Sequence, residues 1–298
     1  MRCATVRGLR LLSSAAVTAA SLLSAAAVAQ PERVQSSRSD PGSAATPTAV
    51  APVQDQHSRR RVVVLIRDLQ GKQLGSGVLV SNASSGDWVL TNRHVVQNAA
   101  QVCVSTAEGR MHLGSVELQP ARWQGLDLAL VWLPRAQTDP PRPVAEIVDP
   151  ALALGEMAVV VAAGHPADAA NDAGSSHYRE ERGLLLPLLQ GPLKEGFDLT
   201  YTAAVQKGMS GGGLFVGDRL IGINGAHAHP LWPGSWQRPD GTAVGEPLNS
   251  QLELVALGLS SRHLQNLRLQ ERQLSRPAAT ADAFSSCVGP AADNPPTF

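Results

Sequence analysis

The chain has no excess of basic charge and very few cysteines. Its 298 residues include 25 Lys and Arg against 25 Asp and Glu, so the formal net charge is zero. Nucleic-acid binding is driven by a surplus of Lys and Arg on one face, and this composition does not indicate such a partner. Three cysteines are too few to form a recognisable disulfide or metal-binding spacing. No internal repeat or heptad pattern is visible either.

Long apolar runs are also scarce, and the one candidate lies at the N-terminus. Residues 1–29 contain three arginines, no acidic residue, and an Ala/Leu/Val/Ser stretch that ends in Ala27-Val28-Ala29. This pattern is typical of a cleaved secretory signal peptide, and the Ser and Thr residues in the stretch disfavour a stable membrane span. We therefore expect an exported bacterial protein, periplasmic or secreted, with no stable membrane insertion after signal cleavage. The mature chain then has 22 basic and 25 acidic residues, a formal charge of minus three.

The rest of the chain divides by composition. Residues 30–60 are rich in Pro, Ser, Ala and Thr and contain no aromatic residue, which predicts a disordered linker or a pro-segment. The run Arg59-Arg60-Arg61 at its end is interpreted either as a processing site or as a solvated basic run. Residues 275–298 are predicted to be a disordered tail. The remaining stretch, 61–274, is long enough for two small cores.

Two cysteines remain after signal cleavage. Cys103 and Cys287 can form a disulfide in an exported protein. A buried Cys103 with a free Cys287 is the alternative, and the sequence leaves both open.

Short runs rich in Val, Ile and Leu predict an all-β architecture. Turn-prone Gly, Asn, Asp and Pro separate the runs, which is the pattern of antiparallel sheets. The proline-rich segment 140–143 divides them into a first β unit over 61–145 and a second over 146–274. The predicted strands are 62–67, 77–81, 88–91, 101–105, 126–132, 157–163, 199–203, 213–216 and 220–224. A C-terminal helix is predicted after Ser260 and Ser261, where three leucines follow a helical stripe.

Three residues have complementary chemistry for hydrolysis. A serine hydroxyl is a poor nucleophile unless a base accepts its proton, and imidazole is a suitable base because it titrates near neutrality. Ser210 and His94 supply these two groups, and Asp127 would orient the imidazole. Singly, His94 also fits a buried structural histidine and Asp127 fits a turn residue. Together, in the chain order His, Asp, Ser, they indicate a catalytic triad.

The motifs around these residues strengthen that interpretation. They are Gly75-Ser76-Gly77-Val78-Leu79, Thr91-Asn92-Arg93-His94-Val95-Val96, Asp127-Leu128-Ala129 and Gly208-Met209-Ser210-Gly211-Gly212. Together they resemble the trypsin-like (chymotrypsin-fold) serine peptidases, and within them the bacterial branch that includes the HtrA-type and glutamyl-endopeptidase-type enzymes. The resemblance extends from about Arg61 to Leu274, and the order His, Asp, Ser matches it.

The resemblance implies two antiparallel β-barrels with the active site between them. His94 and Asp127 would come from the first barrel and Ser210 from the second. The backbone N–H groups of Gly208 and Ser210 would form the oxyanion hole, where a glycine can turn its N–H inward without a Cβ clash. About 24 residues follow the predicted helix, too few for the PDZ domain of HtrA-type enzymes.

Departures from the family pattern restrict activation and specificity. Met209 stands where digestive-type relatives carry the aspartate that captures a new N-terminus, so activation by that salt bridge is not expected. Ala204 replaces the pocket aspartate of trypsin-type relatives, and Asn224 replaces the histidine of glutamyl-specific ones. A neutral pocket lined by Ala204, Gln206, Asn224 and Gly225 is therefore predicted. Such a pocket discriminates weakly between side chains.

No cofactor or metal is expected. His227 and His229 form a pair without a third ligand, which is a weak metal signal. The predicted function is an exported serine endopeptidase that acts on polypeptide substrates through an acyl-enzyme. The alternative is a catalytically silent protease-fold module that binds peptides. The sequence does not specify the preferred residue at the cleaved bond or the oligomeric state.

Overall fold

The computed structural model describes residues 53–118, 123–136, 138–152, 158–167, 177–226, 235–264 and Cys287. The predicted signal peptide, His227, His229 and most of the predicted C-terminal helix and tail lie outside these residues. The described part of the chain forms thirteen strands, three short α-helices and three 3-10 turns. The strands are β1 Val63–Arg67, β2 Gln73–Ala83, β3 Gly86–Thr91, β4 Gln101–Ser105, β5 Met111–Leu118, β6 Ala129–Pro134, β7 Glu146–Ile147, β8 Val159–Gly164, β9 Arg179–Leu186, β10 Leu199–Tyr201, β11 Gly213–Val216, β12 Arg219–Ala226 and β13 Ala256–Ser260. The helices are α1 Val53–Val62, α2 Arg93–Val96 and α3 Leu248–Leu252, and the 3-10 turns are Pro150–Leu152, Lys194–Gly196 and Ser261–Leu264.

The strands close into two antiparallel barrels, which confirms the predicted fold class. The first barrel has the order β1-β2-β3-β6-β5-β4, with β4 returning to pair with β1. The second follows β11-β8-β9-β10-β13-β12 and closes through pairing of β12 with β11. The short β7 adds to β12 as a parallel edge strand. Closure leaves few open edges for pairing with other chains.

Buried apolar side chains form a core inside each barrel and a third core between them. The first barrel encloses residues such as Val89, Val131 and Leu133. The third cluster joins Trp88 and Trp132 of the first barrel to side chains of the second such as Phe215. Strands that serve two cores bury both faces, and β3 and β6 are buried at every position. The apolar residues 88–90 of β3 and 129–133 of β6 are therefore continuous runs rather than alternating ones.

Four strands of the structure are absent from the sequence prediction, namely β5, β7, β9 and β13. The sequence of β9, REERGLLL, is rich in charge, and half-buried or exposed residues dominate its length. Such a segment has low β-propensity, and pairing with β8 and β10 overrides it. Ser260 ends β13 instead of capping a helix, since its N–H and hydroxyl both donate to Asp198. Of the predicted C-terminal helix, only the 3-10 turn Ser261–Leu264 is described.

The segment before the first barrel also differs from the prediction. Residues 53–60 were expected to be the last part of a disordered linker. They instead belong to α1, which is followed directly by β1 at Val63. Tertiary contacts stabilise this helix, because its Arg59 is 3% exposed and paired with Glu180 of β9. The linker prediction is corrected for residues 53–60 on this ground.

The two cysteines left after the predicted cleavage are bonded to each other. Cys103 lies on β4 and is buried, and its Cα is 5.7 Å from that of Cys287. The disulfide attaches the C-terminal region to the first barrel and closes a loop of 184 residues. Of the two alternatives that the sequence left open, the structure contains the paired one.

None of the helices among the described residues is long and apolar enough to cross a membrane.

A buried polar cluster lies where the connection between the barrels meets the first barrel. Asp87 is fully buried and pairs with Arg142. The guanidinium of Arg142 also lies 3.1 Å from Nδ1 of His112 on β5. Burial first, and then Arg142 and Arg110, lower the pKa of His112 to about 4. His112 therefore stays neutral in the folded protein at pH values where an unfolded chain would protonate it.

Because the pKa of His112 is low, we expect the folded protein to lose stability in acid, and we expect a substitution of His112 to reduce this loss. Because the folded pKa lies below the unfolded value, stability is complete above about pH 6.5 and falls as the pH drops toward about 4. Between pH 7 and pH 4.5, the wild type should lose about 1–2 kcal/mol more unfolding free energy than His112→Gln, a figure discounted for partial solvent screening. Urea unfolding at both pH values measures this difference. Equal pH dependence in the two proteins would contradict the assignment.

Candidate active site

His94 is fixed at the mouth of the first barrel by the helix that carries it. Strand β3 ends at Thr91, and α2 begins after Asn92, the N-cap residue. Val95 and Val96 of α2 are buried in the first barrel core, so the helix cannot rotate freely. His94 precedes them and its side chain remains 33% exposed. The imidazole is thus held by the barrel and remains partly exposed.

Asp127 lies directly behind His94. Its Oδ2 is 2.7 Å from Nδ1 of His94, and its Oδ1 accepts the backbone N–H of His94 at 2.9 Å. The carboxylate is fully buried, and Nδ2 of Asn92 donates to its backbone carbonyl at 3.0 Å. A buried carboxylate needs hydrogen-bond donors, and the backbone N–H and Nδ1 of His94 supply them. This arrangement fixes the ring and places the proton on Nδ1, which leaves Nε2 as the proton acceptor.

A turn from the second barrel supports Asp127 from behind. The N–H of Asp127 donates to the carbonyl of Glu195 at 2.8 Å, and the carboxylate of Glu195 pairs with Arg93 at 3.0 Å. Glu195 has φ of 62°, a left-handed conformation that is uncommon for residues other than glycine. The same turn therefore contacts both Asp127 and Arg93, the first residue of the helix that carries His94.

Ser210 lies at the junction between the barrels. Its carbonyl accepts the N–H of Ser76 in β2 at 2.8 Å. A Cβ added to the next residue, Gly211, would lie 2.2 Å from Oγ1 of Thr91. Ser210 and Gly211 thus pack directly on the segment that leads to His94. The Ser210 hydroxyl donates to the carbonyl of Gly225 at 3.2 Å, and this is the hydrogen bond that the structure shows for it, rather than one to His94.

The backbone around Ser210 turns two N–H groups away from the partners that bond the adjacent carbonyls. The carbonyl of Lys207 accepts the N–H of Ala167 at 2.8 Å, and that of Met209 accepts the N–H of Gly212 at 3.0 Å. In a trans peptide the N–H points opposite to the C=O. The N–H groups of Gly208 and Ser210, which share peptides with those carbonyls, are therefore turned away from these partners. Two convergent N–H groups are what an oxyanion requires.

The turn that carries these groups, residues 208–211, is here called the oxyanion turn. Gly208 has φ of 94° and Gly211 has φ of 83°. Between them, Met209 is fully buried in the second barrel core. Burial of a Met side chain contributes about 1.5–3 kcal/mol, so this turn is anchored by apolar packing.

Replacing Gly208 with alanine is expected to lower kcat by about 10²–10³, because the sequence predicts that its N–H is an oxyanion donor and losing one such donor has this effect. An alanine Cβ would lie 2.5 Å from the N of Ala167 and 2.7 Å from the O of His165, so the turn must move. Steady-state kinetics on a peptide substrate measures the loss. Gly241→Ala is the matched control because Gly241 has φ of 85° and open space around its Cβ position. Equal losses in both variants would contradict a special role for Gly208.

The four residues predicted to line the substrate pocket separate into two groups. Ala204 is exposed and Gln206 is half-buried, so both are near the surface. Asn224 is fully buried, and its Oδ1 accepts the hydroxyl of Tyr201 at 3.0 Å. Burial raises the pKa of Tyr201, so this hydroxyl remains a donor. The Asn224 side chain thus faces the second barrel interior, and Gly225 contributes its backbone carbonyl beside Ser210.

Ser76 is a residue that the motifs contained but to which sequence reasoning gave no role. Its fully buried hydroxyl donates to the carbonyl of Gly208 and accepts the N–H of His165, both at 2.8 Å. Its carbonyl accepts Oγ1 of Thr91 at 2.7 Å. A polar residue flanked by Gly75 and Gly77 inside an apolar strand was the signal that could have identified it.

The described residues contain no group of three or more His, Cys, Asp or Glu side chains that could hold a metal ion.

Comparison with known proteins identifies the family. Residues 75–223, half of the chain, match the profile of the trypsin-like peptidase domain, and the chain therefore belongs to this family. No curated protein matches the chain. Among solved structures, the chain is similar to the crystal structure of the Rv3671c protease in its inactive form, with 21% identity and a TM-score of 0.47. The match covers 72% of this chain and 91% of that one.

Proposed function

We propose that the chain is an exported serine endopeptidase that cleaves polypeptides through an acyl-enzyme. His94 is the general base, Asp127 orients it, and Ser210 is the nucleophile. The Gly208 and Ser210 N–H groups stabilise the negative oxygen that forms when Ser210 attacks a peptide carbonyl. Membership of the trypsin-like peptidase family is consistent with this chemistry.

The observation that carries the proposal is the contact of 2.7 Å between Nδ1 of His94 and Oδ2 of Asp127. A structural histidine would not need a fully buried carboxylate that bonds both its ring and its backbone N–H. Proton transfer to His94 creates an imidazolium, which the buried charge of Asp127 stabilises. In the structure the Ser210 hydroxyl donates to Gly225, so attack requires it to rotate toward His94.

The proposed export and substrate preference are supported by other features. The disulfide between Cys103 and Cys287 is typical of an oxidising compartment such as the periplasm or the cell exterior. Ala204 carries no charge, which favours substrates with a neutral residue before the cleaved bond. Since Asn224 is buried, the pocket depends on Ala204, Gln206 and the backbone at Gly225.

A peptide library tests the proposal. The purified mature protein is incubated with peptides of mixed sequence, and new termini are identified by mass spectrometry, with Ser210→Ala as the blank. We expect cleavage by the wild type only, with an uncharged residue before the new termini. Peptide binding without cleavage by either protein would instead indicate the silent peptide-binding module.

A further inference from the structure

The buried guanidinium of Arg59 connects α1 to the second barrel. Its Nε and Nη2 donate to the two carboxylate oxygens of Glu180 at 3.0 and 2.9 Å, and its Nη1 donates to the carbonyl of Gly217 at 2.6 Å. Arg59 is 3% exposed and the Glu180 side chain 10%. Arg60 and Arg61 beside it are exposed. In the run Arg59-Arg60-Arg61, the first arginine is therefore buried and the other two are exposed to solvent.

Glu180 bonds an aromatic side chain as well as Arg59. Its Oε1 accepts the hydroxyl of Tyr178 at 2.5 Å. Burial first, and the hydrogen bond to Glu180 second, raise the pKa of Tyr178, so the hydroxyl remains protonated as a donor. The Tyr178 ring lies edge-on to the His165 ring, with 5.9 Å between the ring centroids. The position of Tyr178 against His165 thus depends on Glu180, and Arg59 fixes the orientation of Glu180.

His165 in turn contacts the oxyanion turn. Its N–H donates to Oγ of Ser76 at 2.8 Å, and the same Oγ donates to the carbonyl of Gly208 at 2.8 Å. The carbonyl of His165 accepts Nε2 of Gln73 at 2.6 Å and would lie 2.7 Å from a Cβ on Gly208. The backbone at His165 is therefore part of the wall that holds Gly208 in its left-handed conformation.

We propose that α1 is a positioning segment for the oxyanion turn, anchored by the ion pair between Arg59 and Glu180. Docked α1 holds Tyr178 and His165 in place, and these in turn hold Ser76 and Gly208 so that the N–H of Gly208 faces a substrate carbonyl. The inference rests on the proposed function of the same site. Residues 53–60 then promote activity, whereas an inhibitory pro-segment reduces it. Loss of the anchor is therefore expected to lower activity instead of raising it.

The test uses the mature chain with single substitutions. Arg59→Gln and Glu180→Gln each remove the ion pair, and Arg262→Gln is the matched control because it removes the exposed pair with Asp149. The measurements are kcat and KM for a cleaved peptide, the rate at which a fluorophosphonate labels Ser210, and the melting temperature. We expect Arg59→Gln and Glu180→Gln to lower kcat and the labelling rate about tenfold or more with KM nearly unchanged, because small displacements of a catalytic group cost rate. Arg59→Lys should recover part of kcat, since an ammonium keeps the charge without the bidentate fork.

Several results would overturn the inference. The first is an unchanged or raised kcat in folded Arg59→Gln. The second is a rise in KM of that variant without a fall in kcat, and the third is an equal fall of kcat in Arg262→Gln. If Arg59→Gln does not fold, Tyr178→Phe decides, because it removes the hydroxyl bond to Glu180 and keeps the ring. We expect kcat of Tyr178→Phe to fall about threefold or more, and an unchanged kcat would overturn the inference. A wild-type protein that is not labelled would overturn the proposed function together with this inference, whereas a labelled wild type with unaffected variants would overturn this inference alone.

Discussion

Ser210→Ala is expected to lower kcat by about 10⁶, with little change in the melting temperature, because the substitution removes the proposed nucleophile. Among the described residues, the Ser210 hydroxyl makes one hydrogen bond, to Gly225 at 3.2 Å, while the bond from Ser76 to the Ser210 carbonyl belongs to the backbone and is retained. Peptide hydrolysis followed over several days, together with thermal unfolding, measures both quantities.

The matched control for this substitution is Ser250→Ala. Ser250 is exposed in α3, where its hydroxyl donates to Glu246. Its loss should leave kcat unchanged. Hydrolysis by Ser210→Ala within about tenfold of the wild-type rate would exclude Ser210 as the nucleophile, since residual catalysis without it is small.

Asp127→Asn is expected to lower kcat by about 10⁴ while the protein remains folded. The asparagine amide nitrogen can only donate a hydrogen bond, so at 2.7 Å from Nδ1 of His94 it selects the ring tautomer with the proton on Nε2. That tautomer cannot accept the proton of Ser210. The neutral amide also fails to stabilise the imidazolium that proton transfer would form.

Steady-state kinetics of Asp127→Asn beside Asp149→Asn measures this effect. Asp149 is a suitable control because its ion pair with Arg262 is solvent-exposed. We expect near wild-type kcat for the control. A loss of less than about tenfold in Asp127→Asn would show that His94 does not depend on this carboxylate.

The sequence predicted the parts of the site that are encoded locally. His94 follows an apolar strand, Asp127 lies at the start of another, and Ser210 lies in a glycine-rich turn, so each is marked by its own neighbours. The apolar runs at 88–90 in β3 and 129–133 in β6 indicate strands, because continuous burial on two faces favours unbroken apolar sequence there. The closure into two barrels was implied by the resemblance to the trypsin-like peptidases, since the strand pattern alone predicts only an antiparallel all-β architecture.

The supporting contacts could not be predicted in the same way. Glu195 pairs with Arg93 across 102 residues, and Arg59 with Glu180 across 121. No local pattern distinguishes these charges from solvated ones, because their burial depends on how the two barrels meet. For the same reason, the sequence does not show whether the Asn224 side chain is buried or lines a pocket. Its orientation is set by the Tyr201 hydroxyl and the second barrel core.

The most direct test of the proposed mechanism is the mass of the mature protein after reaction with a fluorophosphonate, followed by peptide mapping. A single adduct on Ser210, absent from Ser210→Ala and formed much more slowly by Asp127→Asn, is the result that we expect. An unmodified wild-type protein beside a fully labelled control protease, or equal labelling of Ser210→Ala, would contradict it.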